Sequence, residues 1–235
     1  MSTTLIIGGS SGIGLATASL LADRGDTVHI ASRNQARLDH ATEVDSRLTA
    51  HAVDALDLAA VRDLAVSIAP IDRLILTLSG NEGAGPFADL DLTLLRRAFD
   101  AKFWGYATAI QAALPVIPAT GSITLIGAIT ARAGVPGTAG IASLNAAVEG
   151  LVQPLAAELA PIRVNAVSPG YVDTPWWNML TADQRDATFR QVAESLPTRR
   201  IATAGDVAEL VALLAVNPNM TGTVVEADGG AHLTA

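Results

Sequence analysis

Short runs of apolar residues alternate along this chain with longer segments in which apolar residues recur every three or four positions. The recurrence matches the helical repeat, whereas the short runs are typical of buried strands. The predicted strands are 5–7, 27–31, 49–53, 73–78, 122–126, 163–167 and 223–225, and the predicted helices are 14–24, 36–46, 58–68, 94–114, 139–159 and 206–215. Continuous apolar strands separated by helices indicate an α/β fold, a doubly wound parallel sheet of about seven strands with helices on both faces.

No repeat, linker or low-complexity segment divides the 235 residues, so the pattern predicts a single domain covering 1–235. The least regular stretch lies near 170–197, where Trp176 and Trp177 precede a polar helical segment. We expect this stretch to form a lid on the substrate side. The two tryptophans would line an apolar substrate cavity, or would equally serve as packing for the lid.

Composition excludes several classes of protein. Half of the residues are hydrophobic and only 16% are charged, which excludes a disordered chain. The net charge of −8 argues against nucleic acid or an anionic membrane as partner, because phosphates would be repelled. The absence of cysteine excludes disulfides and thiolate metal sites. With neither a signal peptide nor a bilayer-length apolar run apparent, we expect a cytoplasmic protein.

A glycine-rich segment follows the first predicted strand and opens the first predicted helix. Residues 8–14 are Gly-Gly-Ser-Ser-Gly-Ile-Gly. Glycines allow a sharp turn and a close approach of a pyrophosphate, and the helix N-terminus offers free N–H groups. An ordinary tight turn is the alternative, but the position between strand and helix favours dinucleotide binding.

The end of the second predicted strand indicates which dinucleotide is bound. A cofactor with a free 2′-hydroxyl prefers a carboxylate at this point, and a 2′-phosphate prefers a cation. Ser32 and Arg33 supply a hydroxyl and a guanidinium, with no acid at the strand end. The sequence therefore predicts NADP(H), the alternative being an ordinary surface arginine.

Further segments, in order along the chain, resemble the short-chain dehydrogenase/reductase family. They are Val-Asp at 53–54, Arg-Val-Asn-Ala-Val-Ser-Pro-Gly at 163–170, Val-Asp-Thr-Pro at 172–175 and Asp-Gly-Gly at 228–230. The resemblance implies a Rossmann-type fold, with Asp54 near the adenine and the segment from Pro169 to Thr174 near the nicotinamide or the pyrophosphate. The residues expected to hold the cofactor are Gly8, Ser10, Ser11, Gly12, Ile13, Gly14, Ser32, Arg33, Asp54, Gly80, Asn145, Pro169, Gly170, Val172 and Thr174.

The catalytic positions depart from the family pattern. In the family a serine follows the fifth strand, a tyrosine lies thirteen residues later, and a lysine stands four residues beyond it. The tyrosine exchanges a proton with the substrate, the ammonium lowers the pKa of the tyrosine, and the serine donates to the developing oxyanion. This chain has Ala128, Ile141 and Asn145 there. Ala128 and Ile141 cannot exchange protons, whereas Asn145 can still hydrogen-bond a ribose.

Lys102 stands where the family usually has an asparagine that completes the proton relay. It is the only lysine in the chain. If its side chain turns inward beside Asn145, it becomes a candidate proton donor, because a lysine among apolar walls has a depressed pKa. An exposed lysine, or one at a subunit contact, is the alternative.

The remaining candidates are weaker. Asn81 and Glu82 follow Gly80 on a loop expected to edge the pocket, and Glu82 is either a base or a solvated acid. Tyr106 is expected in the core or at an interface, and Tyr171 is a possible phenol near the substrate. The four histidines, His29, His40, His51 and His232, show no ligand spacing, so no metal site is predicted.

Three functions compete on this evidence. The first is an NADP(H)-dependent oxidoreductase that acts on a small carbonyl compound, an alcohol or an activated acceptor with an unusual proton donor. The second is a dinucleotide-binding sensor, a scaffold or the inactive partner in an oligomer. The third is a non-redox enzyme of isomerisation or cyclisation. The resemblance also implies a homodimer or homotetramer through the helices at 94–114 and 139–159, although burial in the core would give the same apolar pattern.

Overall fold

The computed structural model describes residues 1–80 and 82–233. The strands in these ranges are β1 (Thr3–Ile7), β2 (Thr27–Ser32), β3 (Thr49–Ala52), β4 (Arg73–Leu76), β5 (Ser122–Ile126), β6 (Arg163–Pro169), β7 (Val172–Asp173), β8 (Ala202–Thr203) and β9 (Val224–Ala227). The α-helices are α1 (Gly12–Asp23), α2 (Gln35–Val44), α3 (Leu58–Ser67), α4 (Leu92–Phe99), α5 (Gly105–Ala113), α6 (Ala139–Gly150), α7 (Val152–Glu158), α8 (Ala182–Ser195) and α9 (Ala204–Val216).

The described part of the chain contains a seven-stranded parallel sheet in the order β3-β2-β1-β4-β5-β6-β9. This confirms the predicted doubly wound α/β fold. The strand order reverses between β1 and β4, where Ile7 lies opposite Leu76. In such sheets ligands bind beyond the carboxyl ends of the strands at this reversal, so the fold places a cleft next to Gly8 and Thr77.

Two hydrophobic cores lie on opposite faces of the sheet. One core packs α3, α5, α6 and α7 against the sheet, and the other packs α1, α2 and α9 against it. Because both faces are covered, the central strands are buried on both sides rather than at alternate residues; all five residues of β5 are buried.

The structure differs from the predicted elements in three places, one of which is the predicted helix at 139–159, divided at Leu151 into α6 and α7. The predicted helix at 94–114 is divided by a π-helical turn, Asp100–Trp104, between α4 and α5. A second parallel pair, β7 with β8, was not predicted because two-residue strands leave no periodic signal. None of the helices in the described ranges combines the length and apolar character that crossing a bilayer requires.

Candidate cofactor cleft and catalytic site

The glycine-rich turn leaves no room for side chains. Gly8 has φ +95°, and a Cβ there would lie 2.6 Å from the Thr77 hydroxyl oxygen. A Cβ on Gly14 would collide with the Gly8 carbonyl and the Thr77 hydroxyl. Ser11 precedes α1 without capping it through its side chain, so the first N–H groups of the helix keep their hydrogen-bonding capacity. This cradle fits a pyrophosphate, as the sequence predicts.

Arg33 follows β2 on an exposed stretch and lines a cavity of about 410 Å³. The other lining residues are Leu56, Ser79, Gly80, Glu82, Arg97, Ala98, Asp100 and Ala101. Arg97 pairs with Glu82 at 2.9 Å, so a second guanidinium lies on this cavity that the sequence did not indicate. Glu82 is an ion-paired acid. Asn81 lies outside the described residues.

Three residues of the 170–197 segment lie against the glycine-rich turn and the loop after β4. Thr174 and Pro175 are the nearest side chains to a Cβ built on Gly12, with the Thr174 Cβ at 3.3 Å. The Trp176 indole N–H donates to the Gly80 carbonyl oxygen at 3.1 Å, which joins the segment to the loop after β4. Trp177 stacks on Tyr171, with ring centroids 6.0 Å apart. These contacts place Trp176 at the edge of the cleft, with Trp177 packed against Trp176 and Tyr171.

The positions of the missing catalytic side chains lie together at the ends of β5 and α6. Ala128 precedes a 3₁₀ turn, Ile129–Ala131, and Ile141 lies in the first turn of α6. The Ile141 side chain packs towards Gly83, where an added Cβ would lie 3.6 Å from the Ile141 Cγ2. Both positions are apolar, and neither provides an acid or a base.

Lys102 turns inward from the π-helical turn. The side chain is buried, with only 7% of the residue exposed. Its Nζ donates to the Asn145 Oδ1 at 2.6 Å and to the Gly127 carbonyl oxygen at 3.2 Å. Burial lowers the pKa of Lys102 to about 8, although the Glu149 carboxylate acts in the opposite direction. The exposed-lysine alternative is therefore wrong.

The Asn145 amide links Lys102 to a hydroxyl that the sequence analysis missed. Its Nδ2 donates to the Thr130 Oγ1 at 3.0 Å and to the Ile141 carbonyl oxygen at 2.9 Å. Both Nδ2 hydrogens are thus engaged, whereas the Oδ1 accepts one hydrogen bond and has a second lone pair for a ribose hydroxyl. The signal that could have found Thr130 is its position, two residues after Ala128 where the family serine is lost.

Compared with the family pattern, lysine and asparagine have exchanged places. The family has asparagine on the helix that carries Lys102, and lysine at the position of Asn145. Here the two side chains meet directly, so the ammonium is supplied from the opposite helix. The cationic charge therefore remains inside the site despite the loss of the family lysine.

Tyr106 is fully buried, as a core residue. Its hydroxyl lies 3.1 Å from the Ile126 carbonyl oxygen and 3.3 Å from the Leu78 carbonyl oxygen. Burial raises the pKa of Tyr106 far above the neutral range. This phenol is consequently no substitute for the missing catalytic tyrosine.

Two groups of ligand-type side chains come together in space without having been recognised in sequence. His29 Nδ1 and His51 Nε2, on neighbouring strands, lie 3.0 Å apart. Ligand atoms of Glu226, Asp228 and His232 lie within 4.8 Å of one another. The Asp228 carboxylate already accepts from the Gly230 and His232 backbone N–H groups, and Glu226 is paired with an arginine. The expected absence of a metal stays a prediction.

Comparison with known proteins agrees with the architecture. Residues 8–232 match the family described as enoyl-(acyl carrier protein) reductase. The cis-4-hydroxycyclohexanecarboxylate dehydrogenase of Sinomonas cyclohexanicum is 32% identical, with 96% of this chain and 94% of that protein covered. The short-chain dehydrogenase/reductase ucsE of an Acremonium species is 30% identical over 96% of this chain and 93% of that protein.

Solved structures show the same fold. A small-chain dehydrogenase in complex with NADPH superimposes with a TM-score of 0.88 at 35% identity, covering 99% of both chains. ElxO with NADP bound gives a TM-score of 0.90 at 25% identity, covering 100% of this chain and 99% of that one. The match to the family over nearly its whole length, together with the sheet order and the glycine-rich turn, shows that this chain belongs to the short-chain dehydrogenase/reductase family.

Proposed function

We propose that this protein is an NADP(H)-dependent oxidoreductase acting on a small carbonyl compound, its alcohol, or an activated acceptor such as an enone or an iminium. One observation carries the proposal: Lys102, Asn145 and Thr130 form a hydrogen-bonded chain beside the positions where the family's catalytic serine, tyrosine and lysine are replaced.

NADP(H) as the cofactor is supported by the solved relatives, which contain NADPH or NADP, and by the residues of the cleft. The N–H groups at the start of α1 and the bare turn from Gly8 to Gly14 suit a pyrophosphate. Arg33 supplies the cation that a 2′-phosphate prefers. When bound, the nicotinamide supplies or accepts a hydride; the residues of this chain hold it and manage the protons.

The charge of Lys102 reaches the substrate side through Asn145. The ammonium donates to one end of the amide, and the other end donates to Thr130. Because each donor polarises the next, the Thr130 hydroxyl proton is favoured to point away from Asn145. Thr130 then donates a hydrogen bond to an oxygen that gains negative charge, the role of the serine lost at Ala128. An amide carries no proton along such a chain, so its contribution is electrostatic.

The apolar surroundings favour an acceptor that is already activated. Ala128 and Ile141 offer no proton, and the Trp176 indole is hydrogen-bonded to the loop after β4 beside the cleft. A conjugated or cationic acceptor takes up a hydride with less help from a phenol. We propose that residues 1–235 act as one cofactor-binding domain with this segment as its lid.

A substrate screen followed at the nicotinamide absorbance tests the proposal. Carbonyls, enones, imines and alcohols are presented to the wild type and to K102M, T130V and T130S, with R62M as a control on the exposed face of α3. We expect K102M to lower kcat/KM by about a hundredfold, and T130V by about tenfold with recovery in T130S. Full turnover in K102M would overturn the role of Lys102.

A dinucleotide-binding sensor without redox turnover is the second candidate. The apolar side chains of Ala128 and Ile141 favour it, because neither can donate or accept a proton where the family has its serine and tyrosine. Tight NADPH binding together with an empty substrate screen would establish this candidate instead.

We also propose a homodimer or homotetramer in the cytoplasm. Leu92 and Trp104 are more than half exposed beside an apolar cavity of about 510 Å³ on α4 and the π-helical turn. Such a surface is typical of a subunit contact. Light scattering on the purified protein checks the assembly, and a monomer would refute it.

A further inference from the structure

Among the residues that the structure describes, no charged group is in direct contact with the buried ammonium of Lys102. Its two acceptors, the Asn145 amide and the Gly127 carbonyl, are both neutral. A buried charge of this kind is costly unless an opposite charge lies nearby. A carboxylate lies on the other side of Gly127.

Glu149 lies there, one helical turn after Asn145 on α6. A Cβ built on Gly127 would lie 2.7 Å from the Glu149 Oε1 and 3.0 Å from its Cγ. The same glycine whose carbonyl holds Lys102 therefore makes room for this carboxylate. Oε1 is buried and makes no hydrogen bond of standard geometry to a described residue, although the Ser168 hydroxyl is near enough to lower the pKa of Glu149.

The second oxygen of the Glu149 carboxylate, Oε2, is held by an ion pair on the solvent side. Oε2 pairs with Arg132 at 2.7 Å, and Arg132 in turn pairs with Glu226 on β9 at 2.6 Å. Burial raises the pKa of Glu149, and Glu226 acts in the same direction; Ser168, Arg132 and Lys102 act against it. Three charged groups therefore act on the Glu149 carboxylate: the buried Lys102 ammonium, the Arg132 guanidinium nearer the surface, and the Glu226 carboxylate, which pairs with Arg132.

We propose that Glu149 is the internal counter-ion of Lys102, held in place by Arg132, and that it is a positioning residue for the electrostatic role of this lysine. The role in turnover rests on the proposed function, whereas the pairing itself does not. Glu149 keeps Lys102 charged in the neutral range, and the charge of Lys102 is what polarises Asn145 and Thr130.

The sole lysine makes the proposal directly measurable. Protein labelled with ¹⁵N and ¹³C in lysine alone gives one side-chain signal, whose chemical shift reports the protonation of Lys102 without any substrate. We expect a midpoint near 8 in the wild type. E149Q should lower this midpoint by about 1 or more, because an opposite charge has been removed. E149D keeps the charge and should stay close to the wild type, and E158Q, which removes an exposed carboxylate on α7, should leave the midpoint unchanged.

Following the Lys102 signal of the wild type to acid pH tests the same pairing without a variant, so the test holds even if E149Q does not fold. The Lys102 signal should move a second time when Glu149 is protonated, at a pH above the ordinary 4.5 of a glutamic acid. An unchanged midpoint in E149Q, or a wild-type signal that does not respond at acid pH, would overturn the pairing. A lowered midpoint in a protein without turnover supports the pairing and counts only against the redox role.

Discussion

Replacing Lys102 with methionine removes a buried amine whose pKa, about 8, lies below the ordinary 10.5 of lysine. In the unfolded chain the amine keeps its proton up to about pH 10.5, and in the folded protein it loses it near pH 8. Folding at neutral pH therefore carries the cost of burying an ammonium. That cost is complete below pH 8, fades as the pH rises from 8 to 10.5, and is absent above.

The size of this cost follows from the two pKa values. They differ by about 2.5, and each pKa unit corresponds to about 1.36 kcal/mol, which gives a cost of about 3 kcal/mol at pH 7. Raising the pH to 9.5 should relieve about 2 kcal/mol of it. K102M has no such group, so the wild type should gain about 2 kcal/mol relative to K102M over this interval.

Urea denaturation of the two proteins at pH 7, 8, 9 and 9.5 measures the effect. The difference between their free energies of unfolding cancels contributions that they share, including the buried phenol of Tyr106. R62M, which removes an exposed cation, should differ from the wild type by a constant amount across the series. A difference between wild type and K102M that does not change with pH would refute the burial of a charged lysine at this site.

Three further outcomes test other parts of the structure. R33A should weaken NADPH binding by about tenfold or more and leave NADH binding almost unchanged, with exposed R37A as the calorimetric control; equal affinity of the wild type for the two cofactors would contradict the phosphate interpretation. G14A should destabilise the protein by about 1–3 kcal/mol through collision with Gly8 and Thr77, whereas G150A, in open space on α6, should be neutral or stabilising by up to about 1 kcal/mol in thermal unfolding. W176F loses the bond to the Gly80 carbonyl and should speed limited proteolysis of α8 by about fivefold, while W104F, outside the lid, should not; equal cleavage of both variants would show that the bond does not hold the segment.

The elements of the fold that could be predicted are those with a regular pattern of apolar residues. The apolar strands and helical repeats predicted the seven-stranded sheet and its helical layers, because burial on both faces leaves a long, continuous signal. The π-helical turn at Asp100–Trp104 left no such signal, since its residues also suit an α-helix. Lys102 is buried because it lies in this turn. From the sequence alone, a buried lysine and an exposed one were therefore both possible.

The sequence showed which catalytic side chains of the family are missing, but it did not show which residues lie near their positions instead. Ala128 and Ile141 stand out because their positions are fixed by the surrounding segments. Thr130 and Glu149 did not stand out, because their importance depends on contacts between α6, β5 and the π-helical turn. Such contacts join residues far apart in the chain, and a single sequence carries no record of them. The Arg97–Glu82 pair at this cavity could not be predicted for the same reason.

Because the only lysine is buried, no exposed side chain carries an amine. Every other basic side chain besides the histidines is an arginine, so the exterior presents no side-chain amine. Aldehydes and ketones condense readily with amines and far less readily with guanidinium groups at neutral pH. Carbonyl compounds therefore meet no side-chain amine on this surface, and amine-directed acylating or cross-linking reagents would find no side chain to modify unless the fold opened.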